Sequence, residues 1–243
     1  MNKVPQVTLL FWCMKIAATT LGETGGDLLS MTLGVGYTAS SIILFALFLG
    51  ALLLQLRAKD YSPPLYWLVI VATSTSGTTI SDMMDRTWGL GYATGSSILI
   101  GLLALLFAVW RATGDTLDVS RITRRRTELL YWATILVSNT LGTALGDFLA
   151  DSSGLGFAGG AALIGGLLLL ITACYATTRI SRVLLFWLAF VLTRPFGAQF
   201  GDVLTKAPDH GGMGLGTGGS SVVLAAILLG LLAVELRKRR VTP

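Results

Sequence analysis

One pattern recurs four times along the chain and limits what it can fold into. Trp12, Trp67, Trp132 and Trp187 each follow an aromatic residue: Phe11, Tyr66, Tyr131 and Phe186. Ten residues after each tryptophan comes a glycine, Gly22, Gly77, Gly142 or Gly197, and five residues later an aspartate, Asp27, Asp82, Asp147 or Asp202. The residue before each aspartate is small: Gly26, Ser81, Gly146 and Gly201. A G-x-G pair then follows at Gly34/Gly36, Gly89/Gly91, Gly154/Gly156 and Gly214/Gly216. The aspartate precedes its first glycine by seven residues in three copies and by twelve in the fourth. Self-similarity on this scale marks an array of one supersecondary unit.

What that unit is follows from its apolar content. The stretches 42–56, 98–110, 161–173 and 222–234 hold no charge, and with their Gly/Ser-rich leaders each reaches the ~20 residues that cross a bilayer core. Mean hydropathy is +0.72, and charged residues make up 13% of the chain, against about 25% in soluble domains. Each copy therefore reads as a helix ending near the aspartate, a tight connection, and a second helix opening with glycines and small hydroxyls. The expected fold is an all-α polytopic membrane bundle of eight transmembrane helices. Its four tandem repeats span 4–60, 61–120, 121–180 and 181–240 and together form one membrane domain. Two helices per unit make the repeats parallel, unlike the inverted repeats of many transporters. A pseudo-fourfold or two-plus-two arrangement about the membrane normal is expected. Lys15 interrupts the first apolar stretch and the pattern returns later, so the start reads as a retained helix and not as a cleaved signal. Cys13 and Cys174 lack metal-ligand spacing and read as inert packing residues.

Of the 18 lysines and arginines, 14 lie at the termini or in the between-repeat linkers. The within-repeat connections hold only Arg86 and Lys206; Lys15 and Arg194 lie inside first helices. The positive-inside rule then places both termini and the linkers in the cytoplasm. Lipid headgroups explain this basic face, with its net charge of +5, better than nucleic acid does. The lipid bilayer is the expected partner, nucleic acid is not, and a homo-oligomer is compatible with the small-residue faces.

Eight of the thirteen acidic residues fall in the opposite half: Glu23, Asp27, Asp82, Asp85, Asp147, Asp151, Asp202 and Asp209. Ionisable groups at membrane depth are costly and mark function by default. Four residues before the repeat aspartates stand Glu23, Thr78, Thr143 and Ala198; seven before stand Thr20, Thr75, Thr140 and Pro195. Helical spacing stacks these as a ladder of oxygens leading inward. Converging, they would offer hard cations the oxygen ligands these prefer, with Asp27, Asp82, Asp147 and Asp202 as the metal-ligating set. Glu23 and the four aspartates carry five negative charges against two positive ones from Lys15 and Arg194, the expected charge-pairing or coupling residues. Crowded carboxylates then need protons or a bound cation. A structural reading stands beside this one. The Gly/Ser pairs are small-xxx-small helix-packing motifs, and each aspartate could cap a second helix. The tryptophans read as packing or an interfacial belt, Asp85, Asp151 and Asp209 as mouth or loop charges, and His210 as a solvated loop residue.

The Trp–Gly–Asp copies resemble a family of bacterial integral membrane proteins made of four tandem two-helix repeats with a characteristic tryptophan, a repeat of unknown function. The resemblance covers about 4–240. It implies the eight-helix architecture and a bacterial inner-membrane location, and it transfers no active site. The expected function is a transporter or channel for a small cation, with a divalent hard metal such as Mn²⁺ favoured and proton coupling through the aspartates. Alternatives are a permease for a small organic cation or polar solute, and a structural or assembly protein. With no paired nucleophile and base and no histidine within the bilayer, an enzyme is not expected. No cofactor is expected either; a metal cation would be substrate.

Overall fold

Each copy forms two long helices, and the glycines decide where one stops and the next begins. In a computed structural model, which describes residues 3–241 (without the side chains of His210, Arg240 and Val241), the helices are α1 (Leu9–Asp27), α2 (Tyr37–Arg57), α3 (Pro63–Asp82), α4 (Tyr92–Ala112), α5 (Arg125–Asp147), α6 (Gly156–Thr177), α7 (Arg182–Thr205) and α8 (Thr217–Val241). In the first three copies the α-helix gives way at the repeat aspartate to five residues of wider π turn, Leu28–Thr32, Met83–Thr87 and Phe148–Ser152. The fourth copy has no such turn; Lys206 follows α7 directly. Both glycines of every G-x-G pair take positive φ, between 66° and 81°, a conformation that other residues rarely adopt. That double reversal turns the chain into the second helix.

The four first helices close a ring: α1 packs on α3, α3 on α5, α5 on α7, and α7 back on α1. Each second helix packs mainly outside the ring on the first helix of the next repeat, α2 on α3, α4 on α5 and α6 on α7. The last, α8, returns to α1, so the array is closed by the same contact that propagates it.

The motif glycines explain why the ring can close. A Cβ on Gly22 would overlap Ser74, one on Gly77 would meet Asn139, one on Gly142 would overlap Arg194, and one on Gly197 would overlap Thr19. These four partners occupy one position, eight residues before the repeat aspartate, in the next repeat round the ring. The small residue before the aspartate does the same one turn on: Gly26 receives Thr78, Gly146 receives Ala198 and Gly201 receives Glu23. The G-x3-[GS] spacing is thus a pair of hollows for the i and i+4 side chains of a neighbour, as helix ridges fit grooves.

Burial divides the molecule into a ring and a coat. Polar residues such as Thr73, Ser74, Ser138 and Asn139 are fully closed off inside the ring, while Ile42, Leu54, Leu169 and Val222 on the second helices are exposed. Among the described residues, six helices are long and apolar enough to cross a membrane: α2, α4, α5 with its π turn, α6, α7 and α8. Helices α1 and α3 fall outside that set because hydroxyls and charges make them less apolar. At the linker end an aromatic layer fills the bundle. Trp67, Trp132 and Trp187 are buried there and Tyr66 and Tyr131 share a 2.6 Å hydrogen bond between hydroxyls, so the tryptophans do serve packing.

Candidate functional site

The first helices end together, and so the four repeat aspartates meet. Asp27, Asp82, Asp147 and Asp202 are each no more than 5% exposed and line one cavity of about 360 Å³. Glu23, Asp151, Arg86 and Lys206 line it too. Oxygens of Glu23, Asp147 and Asp202, from three different repeats, lie within 4.8 Å of one another.

Two basic side chains tie the aspartates in pairs. The Arg86 guanidinium bonds Asp82 of its own repeat through Nε at 3.0 Å and Asp147 of the next through Nη2 at 3.2 Å. It also lies 5.8 Å from the Tyr37 ring and 5.7 Å from the Tyr92 ring, within cation–π range. The Lys206 ammonium bonds Asp202 of its own repeat at 3.2 Å and Asp27 of the first at 3.3 Å. Burial alone would lower the pKa of Lys206, but Asp202 and Asp27 outweigh it and hold it above the usual lysine value. The two clamps recur in alternate repeats, so the mouth has twofold character on a fourfold frame.

Glu23 sits deeper. Its Oε2 accepts from Arg194 at 2.9 Å, from Thr78 at 3.2 Å and from Thr143 at 3.3 Å. Arg194, reaching in from the fourth repeat, also donates to both threonine hydroxyls. The three expected partners Glu23, Thr78 and Thr143 are therefore brought together, with Arg194 at their centre. Lys15 lies elsewhere in the ring. Its Nζ donates to Asn139 at 3.4 Å and stands 4.0 Å over the Phe190 ring, and among the described residues no carboxylate reaches ion-pair distance of it. Asn139 in turn donates to Thr73 at 2.9 Å.

Several expectations change in detail. Thr20, Thr75 and Thr140 donate their hydroxyls to carbonyls of their own helices and do not line the cavity. The helix N-termini of α2, α4 and α6 receive no side-chain cap, so the aspartates do not cap them. Asp85 is buried, accepts from Ser81 at 3.4 Å and lies against Gly95 of α4; it is not a loop charge. Of the two expected charge-pairing residues, Arg194 pairs with Glu23 and Lys15 with no carboxylate among the described residues. The His210 side chain lies outside the described residues. Arg86 and Lys206, which the sequence places in the within-repeat connections, are site residues that were not expected. The signal was their place four residues after the repeat aspartate, one helical turn away.

A family model described as Repeat of Unknown Function (DUF347) matches the chain four times, over residues 10–61, 65–116, 130–181 and 185–241. No curated protein and no solved structure matches it.

Proposed function

The chain belongs to the Repeat of Unknown Function family, and for this member we propose a membrane transporter of a small cation. The substrate enters the aspartate cavity, and a divalent hard metal such as Mn²⁺ is favoured. The observation that carries the reading is the wall of that cavity, where six carboxyl groups face two basic side chains. Such a surplus attracts cations, and three carboxylate oxygens within 4.8 Å suit a hard ion that takes oxygen ligands. Protons compete for the same oxygens, which is the basis for coupling cation movement to a proton.

In this reading all eight helices span the membrane, with the hydroxyls and charges of α1 and α3 turned to the interior of the ring. The basic linkers and both termini face the cytoplasm of a bacterial inner membrane, and the cavity faces the other side. The cavity ends at Arg194 and Glu23, and the aromatic layer with its Tyr66–Tyr131 bond lies beyond. A path open at one end and closed at the other favours a carrier that alternates over an open channel.

A second reading, a small organic cation as substrate, draws on Arg86. Its guanidinium already rests between two carboxylates and two tyrosine rings, which is how such a cation would be held.

A thermal-shift series on detergent-purified protein with Mn²⁺, Mg²⁺, Ca²⁺, Zn²⁺, Na⁺, K⁺ and guanidinium separates these readings, since a ligand of the folded state raises its stability. A saturable shift with Mn²⁺ that disappears in Asp147→Asn supports the metal. A shift with guanidinium alone moves the organic cation to first place, and no shift with any of them sinks both.

A further inference from the structure

The four seams of the ring are not sealed alike at the linker end. Nineteen residues after the second glycine of each G-x-G pair stand Gln55, Trp110, Tyr175 and Glu235, in the last turns of the second helices. Three of them close their seams. Trp110 is fully buried, with its ring centroid 5.7 Å from Trp187 of α7 and 6.4 Å from Tyr131 of α5. Glu235 accepts from the hydroxyl of Tyr61, just before α3, at 2.7 Å and from Trp67 Nε1 on α3 at 3.1 Å. Gln55 is buried, and its backbone carbonyl accepts from Lys3, which also bonds Glu128 of α5 at 2.8 Å. The fourth, Tyr175, is turned outward and 57% exposed, with the Arg182 guanidinium 4.1 Å from its ring.

The seam that Tyr175 leaves open joins α7 to α1, where the last repeat meets the first. A groove of about 800 Å³ lies there. Trp12, Ile16, Leu168, Ile171, Phe186 and Ala189 make it largely apolar. Along α7 it runs from Val183 to Thr193, ten steps along the helix, or ~15 Å. That is half of a ~30 Å hydrocarbon core, the depth of one leaflet. Its outer rim is charged, with Arg182 and Asp118 both on the lining and Arg121 bonded to Asp118 at 3.6 Å.

We propose that this groove is a phospholipid site. One acyl chain lies along α7 between Trp12 and Leu168, and the phosphate is held at Arg182. An apolar trough of one leaflet's length with Arg182 at its rim fits that molecule: the length suits a chain anchored at the interface, and the guanidinium suits a phosphate. The lipid takes the place of the missing wedge side chain and seals the joint where the ring closes. Thr193, at the groove's inner end, accepts through its carbonyl from Thr19 at 3.3 Å and precedes Arg194, so the lipid also braces the helix that carries the buried arginine.

This inference rests on the membrane placement proposed above, and the two fail differently. The test is native mass spectrometry of protein purified in mild detergent, beside thermal stability before and after delipidation. Wild type is expected to retain one phospholipid per chain and to regain lost stability when phospholipid is added back. Ala189→Trp, which fills the trough, is expected to lose the lipid and to gain nothing from its return. Arg182→Gln is expected to reduce occupancy about tenfold through loss of a charge-assisted contact. If wild type needs detergent yet carries no phospholipid, or if Ala189→Trp keeps it, the lipid site is wrong while the membrane placement stands. If neutral diacylglycerol stabilises as well as phospholipid, the assignment of Arg182 to the phosphate is overturned. A chain that stays in solution without detergent overturns the placement itself.

Discussion

Arg194 of the fourth repeat reaches Glu23 of the first at 2.9 Å, with the arginine wholly closed to solvent and the glutamate nearly so. A buried pair of this kind is dear to break from one side, because the remaining charge is stranded. Arg194→Met or Glu23→Gln alone is therefore expected to cost about 3–5 kcal/mol, read as a lowered unfolding midpoint in detergent. The double variant should lose much less than the two single losses combined. Equal, additive losses would mean that the two side chains do not act as a pair.

Gly77 sits where α3 meets α5, and a Cβ there would stand 2.9 Å from the Thr140 amide nitrogen and 3.0 Å from the Asn139 carbonyl carbon. Backbone cannot yield as a flexible side chain can. Gly77→Ala is expected to destabilise by about 1–3 kcal/mol, as overpacked cores do. At Gly101, on the outer helix α4, nothing beyond the helix's own adjacent backbone and chain neighbours lies within 4 Å of the point a Cβ would occupy. Gly101→Ala should be neutral or slightly stabilising, since alanine favours helix. Thermal unfolding of both variants side by side is the check.

Lys206 gives the site an alkaline signature. Its folded pKa is raised by Asp202 and Asp27 against the pull of burial, so its contribution is complete below the ordinary lysine value of 10.5. The contribution is lost as pH rises from there through the raised value. Wild-type stability should fall on that alkaline limb, and Lys206→Met should start lower and fall less steeply. Melting curves between pH 8 and pH 12 test this; identical slopes in the two proteins would show that Lys206 carries no such linkage.

Much of the frame was legible because the repeat fixes its own register. Tryptophan, glycine and aspartate mark one first helix in each copy, and the G-x-G pairs mark the reversals. The small-residue pairs signalled close helix contact. What could not be read was the direction of lean. Residues eight before the aspartate, not seven, meet the next helix, because the i, i+4, i+8 row winds around a helix, and which neighbour it meets depends on how the ring closes. Arg86 and Lys206 were obscured for a related reason. Only two of the four copies carry them, and each finds its second carboxylate in another repeat. Tyr175 differs from its three counterparts in placement, which no spacing along the chain could reveal.

The most direct test of cation transport is flux into proteoliposomes, with Mn²⁺ first and guanidinium beside it, comparing wild type with the Asp27→Asn, Asp147→Asn double variant. The account predicts saturable uptake by wild type. In the double variant uptake should fall by at least about tenfold, the equivalent of 1.4 kcal/mol, while the protein still folds and unfolds cooperatively, its midpoint lowered by the lost Lys206 and Arg86 pairs. Uptake that survives the double substitution, or its absence from well-folded wild type for both cations, would contradict it.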